Sequence, residues 1–187
     1  MRRALIVEDE PLIRRQVAEI LAGYGFEEIL EAENGQEGVT LALSRKPLLI
    51  VMDVSMPVLD GISAAEKIGK EMEVPIVLLT AAGEPETVER ARLAGVMSYV
   101  IKPFATAQLY AAVDLAIHRF VEISTLRDEV SRLKESLEAR KLIEKAKGAL
   151  IRKGLSEPEA YRRMQKLAMD KRKSLREVAE AILLMED

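Results

Sequence analysis

The stretch Leu48-Leu49-Ile50-Val51-Met52-Asp53 runs through five apolar residues without a polar break and stops on a carboxylate. An unbroken apolar run of this length suits a strand buried on both faces, as in the middle of a parallel sheet, where alternation of polar and apolar residues is not needed. Similar short runs lie near 3 to 7, 28 to 32, 75 to 79 and 97 to 101, and longer amphipathic stretches separate them. Five strands alternating with helices predict a doubly wound α/β domain over residues 1 to about 120. Pro11 opens the helical stretch 11 to 22 and Gly95 closes the one at 84 to 94, the positions where proline and glycine fit a helix best.

Four of the runs are followed or closed by polar residues: Glu8-Asp9 after the first, Asp53 at the third, Thr80 at the fourth and Lys102-Pro103 at the fifth. In a doubly wound sheet the carboxyl ends of the strands open onto one crevice, so these residues are expected to meet. Three carboxylates, a hydroxyl and an ammonium suit a small hard cation and a phosphoryl group. Asp53 is the expected nucleophile, giving an acyl phosphate. Glu8 and Asp9 are expected to hold Mg²⁺, Lys102 to pair with the phosphoryl oxygens, and Thr80 to donate to them. Tyr99 is the aromatic expected to follow Thr80. Any one of these residues has a commonplace reading, such as a turn, a cap or a surface charge; their shared place at strand ends gives the set its force.

Composition narrows the alternatives. The 187 residues contain no cysteine and a single histidine, which excludes disulfides, thiolate metal sites and histidine-cluster zinc sites. No apolar stretch reaches the ~18 residues of a membrane span, and the start lacks a signal-peptide core, so a soluble cytoplasmic protein is expected. Charge is uneven: residues 1 to 125 hold 12 basic and 19 acidic side chains, net −7, and residues 126 to 187 hold 16 and 12, net +4. Between Arg140 and Arg176 the balance is 13 to 4, the mark of a segment that attracts polyanions.

Beyond Thr106 no strand signal remains. Ile123, Leu126, Val130, Leu133 and Leu137 recur at spacings of three and four, a heptad seam of about two repeats that predicts a short coiled-coil helix over 121 to 140 and conditional dimerisation. Three helical patterns follow, near 141 to 153, 157 to 170 and 175 to 185. Ser156 with Glu159 and Ser174 with Glu177 have the spacing of capping boxes, and Gly154 ends the helix before. The expected core of this module, residues 141 to 187, is Leu142, Ile143, Ala146, Leu150, Tyr161, Met164, Leu167, Ala168, Leu175, Val178 and Ile182.

With its acceptor context VMDVSMPVLDG around Asp53, the first 120 residues resemble the receiver domain of bacterial two-component response regulators. The resemblance implies a flavodoxin-like parallel sheet of order 2-1-3-4-5 and a sensor histidine kinase as phosphodonor. It further implies Mg²⁺ bound by Glu8 or Asp9, Asp53 and the carbonyl of Ser55, a Thr80 and Tyr99 switch pair, and a cis peptide before Pro103. Glu8 stands where many receivers carry a second aspartate. Ser55 and Ala82, two residues beyond Asp53 and Thr80, are where water access to the acyl phosphate is expected to be tuned. A regulator of this kind is not a metabolic enzyme.

The segment from Leu137 resembles an ANTAR domain, the RNA-binding module of transcription antiterminators, through Ala146-Lys147-Gly148, Ala160, Ala168-Met169 and Val178-Ala179. This implies binding of RNA stem-loops in nascent transcripts by a homodimer formed on phosphorylation. Tyr161 is the only aromatic beyond residue 125, so recognition by base stacking is not expected. The available donors are Lys145, Lys147, Arg152, Lys153, Arg162, Arg163, Lys171 and Arg172. A DNA-binding regulator, or an output module that binds protein alone, are the alternatives.

Overall fold

The computed structural model describes residues 2–81 and 85–185, with side chains from residue 89 in the second segment. The chain divides into two compact units, Met1–Ser124 and Thr125–Asp187. In the first, β1 (Arg3–Val7), β2 (Glu28–Ala32), β3 (Leu49–Asp53), β4 (Ile76–Thr80) and β5 (Ser98–Ile101) alternate with α1 (Pro11–Tyr24), α2 (Gly35–Arg45), α3 (Gly61–Glu71) and α4 (Pro85–Leu93). All strand pairs are parallel and the order is β2-β1-β3-β4-β5, as the alternation and the resemblance predict. Asp53 and Thr80 are the last residues of their strands.

Two faces of the sheet carry separate cores, because successive side chains of a strand point to opposite sides. Leu5, Val7, Ile50, Met52, Ile76 and Leu78 pack with Val39, Ala42, Ile62 and Ile68 of α2 and α3. On the other face Ala4, Ile6, Leu49, Val51, Val77 and Leu79 pack with Val17 and Leu21 of α1 and with Leu109, Val113 and Ala116. Burial of each large side chain contributes about 1.5–3 kcal/mol. The central strands β3 and β4 are buried along their whole length, which their uninterrupted apolar sequence requires.

Helix α5 runs without interruption from Thr106 to Arg152. The sequence separates three stretches here, and both 120/121 and 140/141 fall inside this one helix. No proline and no capping residue followed by a break occurs between 106 and 152, and the single Gly148 costs only about 1 kcal/mol in a helix this long. Gly154, in the left-handed region at φ 96°, ends the turn that follows.

In the second unit, the end of α5 packs with α6 (Glu157–Lys171) and α7 (Leu175–Leu184) around Ala146, Leu150, Ala160, Met164, Val178 and Ala179. Tyr161 is corrected by the structure: it is exposed, not core. The buried positions of α6 are Ala160 and Met164, with Leu167 and Ala168 packed against them, and Tyr161 falls at the outer edge of that stripe, about 100° around the helix from Ala160. Both helices begin as their sequences predict. The Glu159 carboxylate accepts from the Ser156 N–H at 2.9 Å, and Ser174 and Glu177 bond reciprocally at 2.8 and 3.2 Å.

The cap of α7 gives a pH prediction. Bonds from the Ser174 N–H, then from the Lys173 ammonium and the Ser174 hydroxyl, hold the Glu177 carboxyl down to about 2, below its ordinary 4.5. A lowered value in the folded state means that the stabilisation is complete above the ordinary value and is lost as pH falls through the folded one. Glu177→Ala should therefore speed amide exchange in α7 at pH 7, and the difference from wild type should fade between pH 4.5 and about 2. A difference that persists at pH 2 would count against the cap.

Candidate functional site

The carboxyl ends of β1, β3, β4 and β5 bring together residues that lie far apart in sequence. Glu8 follows β1 and is 0% exposed; Asp53 and Thr80 are also buried, while Asp9 is exposed. Oxygen atoms of Glu8, Asp9 and Asp53 lie within 4.8 Å of one another. The Lys102 ammonium sits 2.8 Å from Glu8 Oε2 and 3.0 Å from Asp53 Oδ1, so one cation faces two buried carboxylates. Glu8 Oε2 has that ionic contact but no aligned hydrogen-bond donor, and Oε1 accepts from the Glu10 N–H at 3.2 Å.

Electrostatics follows from this crowding. Burial, and then the like charge of Asp53, push the Glu8 carboxyl above its ordinary value against the opposing Lys102 bond. Burial likewise pushes Asp53 up, with Asp9 adding to it, and Lys102 opposes the rise without cancelling it. For Lys102 burial acts downward, but the bonds to Glu8 and Asp53 outweigh it and hold the ammonium above its ordinary value. Two carboxylates share one ammonium, which leaves an excess of negative charge in a desolvated place.

Ser55 is exposed in the loop after β3, and the Lys102–Pro103 peptide is cis, with the Lys102 N–H donating to the Thr80 carbonyl at 2.7 Å. Tyr99 stands on β5 opposite Leu78 with its side chain exposed. Ala82 lies outside the described residues. In the second unit Lys145, Arg152, Lys153, Arg162, Arg163, Lys171 and Arg172 are exposed. Lys147 differs from them: its ammonium bridges Glu144 at 3.1 Å and Glu157 at 2.8 Å, tying α5 to α6.

Sequence reasoning missed three supports of the acidic centre. Arg14 on α1 donates to the Glu8 carbonyl at 2.7 Å and pairs with Glu31 and Glu33, each at 3.0 Å, fixing the loop that carries Glu8 and Asp9. The available signal was a basic residue near a helix N-terminus, where the dipole disfavours it. Asp60 caps α3 by accepting from the N–H groups of Ile62 and Ser63. A Cβ on Gly61 would collide with the carbonyl oxygen of Asp53, so only glycine lets α3 start this close to β3.

Between Asp53 and Asp60 the chain makes a costly turn. Val58 adopts φ 69°, a region that β-branched residues avoid, and its side chain is 82% exposed, so no packing compensates. A left-handed conformation costs a non-glycine residue roughly 1–2 kcal/mol, partly offset in a Val58→Gly variant by the greater freedom of the unfolded glycine. Val58→Gly should therefore stabilise the first unit by about 0.5–1 kcal/mol in urea unfolding. Unchanged or reduced stability would mean that the turn is not under strain.

Comparison with known proteins places the geometry in a family. Residues 4–114 match the response regulator receiver domain and residues 131–183 the ANTAR domain. The chain is a response regulator with an ANTAR output domain. It is 50% identical over 183 residues to the transcriptional regulatory protein PdtaR of Mycobacterium tuberculosis strain H37Rv, covering 97% of this chain and 89% of that one. It is 33% identical over 117 residues to the chemotaxis protein CheY of Bacillus subtilis, covering 62% of this chain and 98% of CheY. Among solved structures, the receiver domain of a modulated diguanylate cyclase from Desulfovibrio desulfuricans superposes with TM-score 0.58 at 28% identity, over 63% of this chain and 94% of that one. A response regulator's receiver is a phosphoacceptor, not a catalytic enzyme, and implies a sensor kinase as partner. Among the described residues no helix is long and apolar enough to cross a membrane.

Proposed function

We propose that this response regulator accepts a phosphoryl group on Asp53 and, once modified, dimerises and binds RNA stem-loops in nascent transcripts as a cytoplasmic antiterminator. The observation that carries the first half is the Asp53 carboxylate held 3.0 Å from Lys102 at the mouth of a buried acidic cluster. An Asp53 oxygen attacks the phosphorus of a phosphohistidine on a sensor histidine kinase; the P–O bond forms, the P–N bond breaks, and the departing imidazole keeps the electron pair and takes a proton from solvent.

The donor set fits Mg²⁺: three carboxylates have oxygens within 4.8 Å of one another, and two of them are buried with a single ammonium between them. Glu8, Asp9, Asp53 and the Ser55 carbonyl would hold the ion, which supplies positive charge to the phosphoryl oxygens. Lys102 then turns from Glu8 and Asp53 toward the new phosphoryl group, and the Thr80 hydroxyl donates to it. Phosphorylation adds about −2 of charge where negative charge is already in excess. Thr80 and Lys102 are drawn inward, Tyr99 follows into the space that Thr80 leaves, and hydrolysis of the acyl phosphate resets the site.

The second half is supported by the net charge of the second unit and by exposed Lys145, Lys153, Arg162, Arg163, Lys171 and Arg172. Contacts of lysine and arginine with phosphates make binding fall steeply with salt. Stem-loop binding should be measured for protein treated with Mg²⁺ and a small phosphodonor, for untreated protein, and for Asp53→Ala. Tight binding of the treated wild type alone supports the proposal. Equal binding in all three samples refutes control by phosphorylation, and preference for duplex DNA at matched salt refutes the RNA reading.

A further inference from the structure

The backbone of Glu8 is held from both sides. Its N–H donates to the Ala32 carbonyl at the end of β2 at 3.0 Å, and its carbonyl accepts from Arg14 Nη1 at 2.7 Å. The other edges of the same guanidinium are spent on the β2 side, Nε on Glu31 and Nη2 on Glu33, each at 3.0 Å. Only 12% of the Arg14 side chain is exposed, against 51% and 71% for its two glutamates, so the guanidinium is the inner member of the group. A planar fork of N–H donors can meet three acceptors in three directions, which the single point charge of a lysine cannot do.

The chain of bonds continues past Glu33. Its N–H donates to Glu37 Oε2 at 3.0 Å, and the N–H of Gly35, the first residue of α2, donates to the Leu59 carbonyl at 3.2 Å. Leu59 belongs to the segment that follows Asp53, which the Gly61 N–H closes on the Val54 carbonyl at 3.0 Å. A Cβ on Gly35 would collide with the Leu59 carbonyl oxygen, so this approach of α2 requires glycine. The loop with Glu8 and Asp9 and the loop after Asp53 are thus tied together through the β2–α2 loop, which holds none of the three clustered carboxylates.

Charge does not explain Arg14. It is the fourth residue of α1, where the helix dipole disfavours a cation, and its two glutamate partners outnumber it. Its positive charge also opposes any cation held by Glu8 and Asp9. We propose that Arg14 is a positioning residue for the divalent cation. By clasping the Glu8 carbonyl to Glu31 and Glu33, it holds the Glu8–Asp9 link in the shape that lets three carboxylates converge on one ion. The Gly35–Leu59 bond carries the same restraint to the loop of Asp53 and Ser55. The proposal rests on the reading of Glu8, Asp9 and Asp53 as the ligands of that ion.

The affinity of the full-length protein for Mg²⁺, measured by competition with Mn²⁺ in water proton relaxation, separates positioning from charge by its sign. Groups that orient metal ligands from outside change affinity by roughly 10–100-fold. Arg14→Gln and Arg14→Lys should therefore both bind Mg²⁺ roughly tenfold more weakly than wild type, with circular dichroism showing each variant folded. Gly35→Ala should shift the affinity in the same direction, although Gly35 touches no ligand. Tighter binding in Arg14→Gln with no change in Arg14→Lys is the result of charge alone and overturns the proposal. Unchanged affinity in both variants with a lowered urea midpoint overturns it too, since Arg14 then only stabilises the fold. Wild-type protein that takes up neither ion overturns the cation reading itself.

Discussion

Lys102→Ala is expected to destabilise the receiver by about 3 kcal/mol at pH 7, the cost of leaving buried charge without its partner. The Lys102 side chain is mostly buried, and it is the cation within 3.0 Å of both Glu8 and Asp53. Removing it leaves two carboxylates facing each other with little water. Both already sit above their ordinary values because of burial, and without Lys102 both rise further. A carboxyl raised in the folded state binds more protons folded than unfolded, so stability grows as pH falls from neutral toward the folded value. The deficit of Lys102→Ala should therefore shrink on acidification from pH 7, and adding Asp53→Asn should recover part of it at pH 7. Urea unfolding across that range measures both. A deficit that does not change with pH would show that lost packing, and not unpaired charge, is the cause.

Asp53→Asn should abolish incorporation of phosphoryl label from acetyl phosphate, since an amide is no nucleophile for this transfer. The same change should make the metal-free protein more stable, the opposite of the usual effect of altering a buried polar residue. The amide removes a carboxylate whose ionisation is disfavoured by burial and by Asp9, and it keeps a similar shape. Mg²⁺ should raise the melting temperature of the wild type at pH 7 and that of Asp53→Asn much less, and the increment in the wild type should fade as acid protonates Glu8 and Asp53. Label that persists in Asp53→Asn would relocate the acceptor. An equal Mg²⁺ effect in both proteins would place the ion elsewhere.

Strand ends were readable because the sheet is parallel and its central strands are unbroken apolar runs, so the polar residue after each run marks the same edge. That reasoning leads to Glu8, Asp53, Thr80 and Lys102 without any contact being known. It could not reach Arg14, whose role depends on a helix dipole being overruled by Glu31 and Glu33, or Gly61, whose lack of a side chain matters only once α3 lies against β3. Periodicity alone also failed at Tyr161, because a large apolar residue next to a core position in sequence is a quarter-turn away in space. The continuity of α5 was hidden for a different reason: a helix that changes the partner it packs on changes the phase of its apolar pattern, and each change reads like a boundary.

Glu8, Asp53, Thr80 and Lys102 come from four different strand ends and are separated by dozens of residues. The acidic cluster and its ammonium are therefore brought together only when the fifth strand docks. A receiver opened at its β5 edge loses the ammonium together with the strand. On the proposed role of Asp53, its modification reports that the fifth strand of the receiver has docked, and it reports nothing of the second unit.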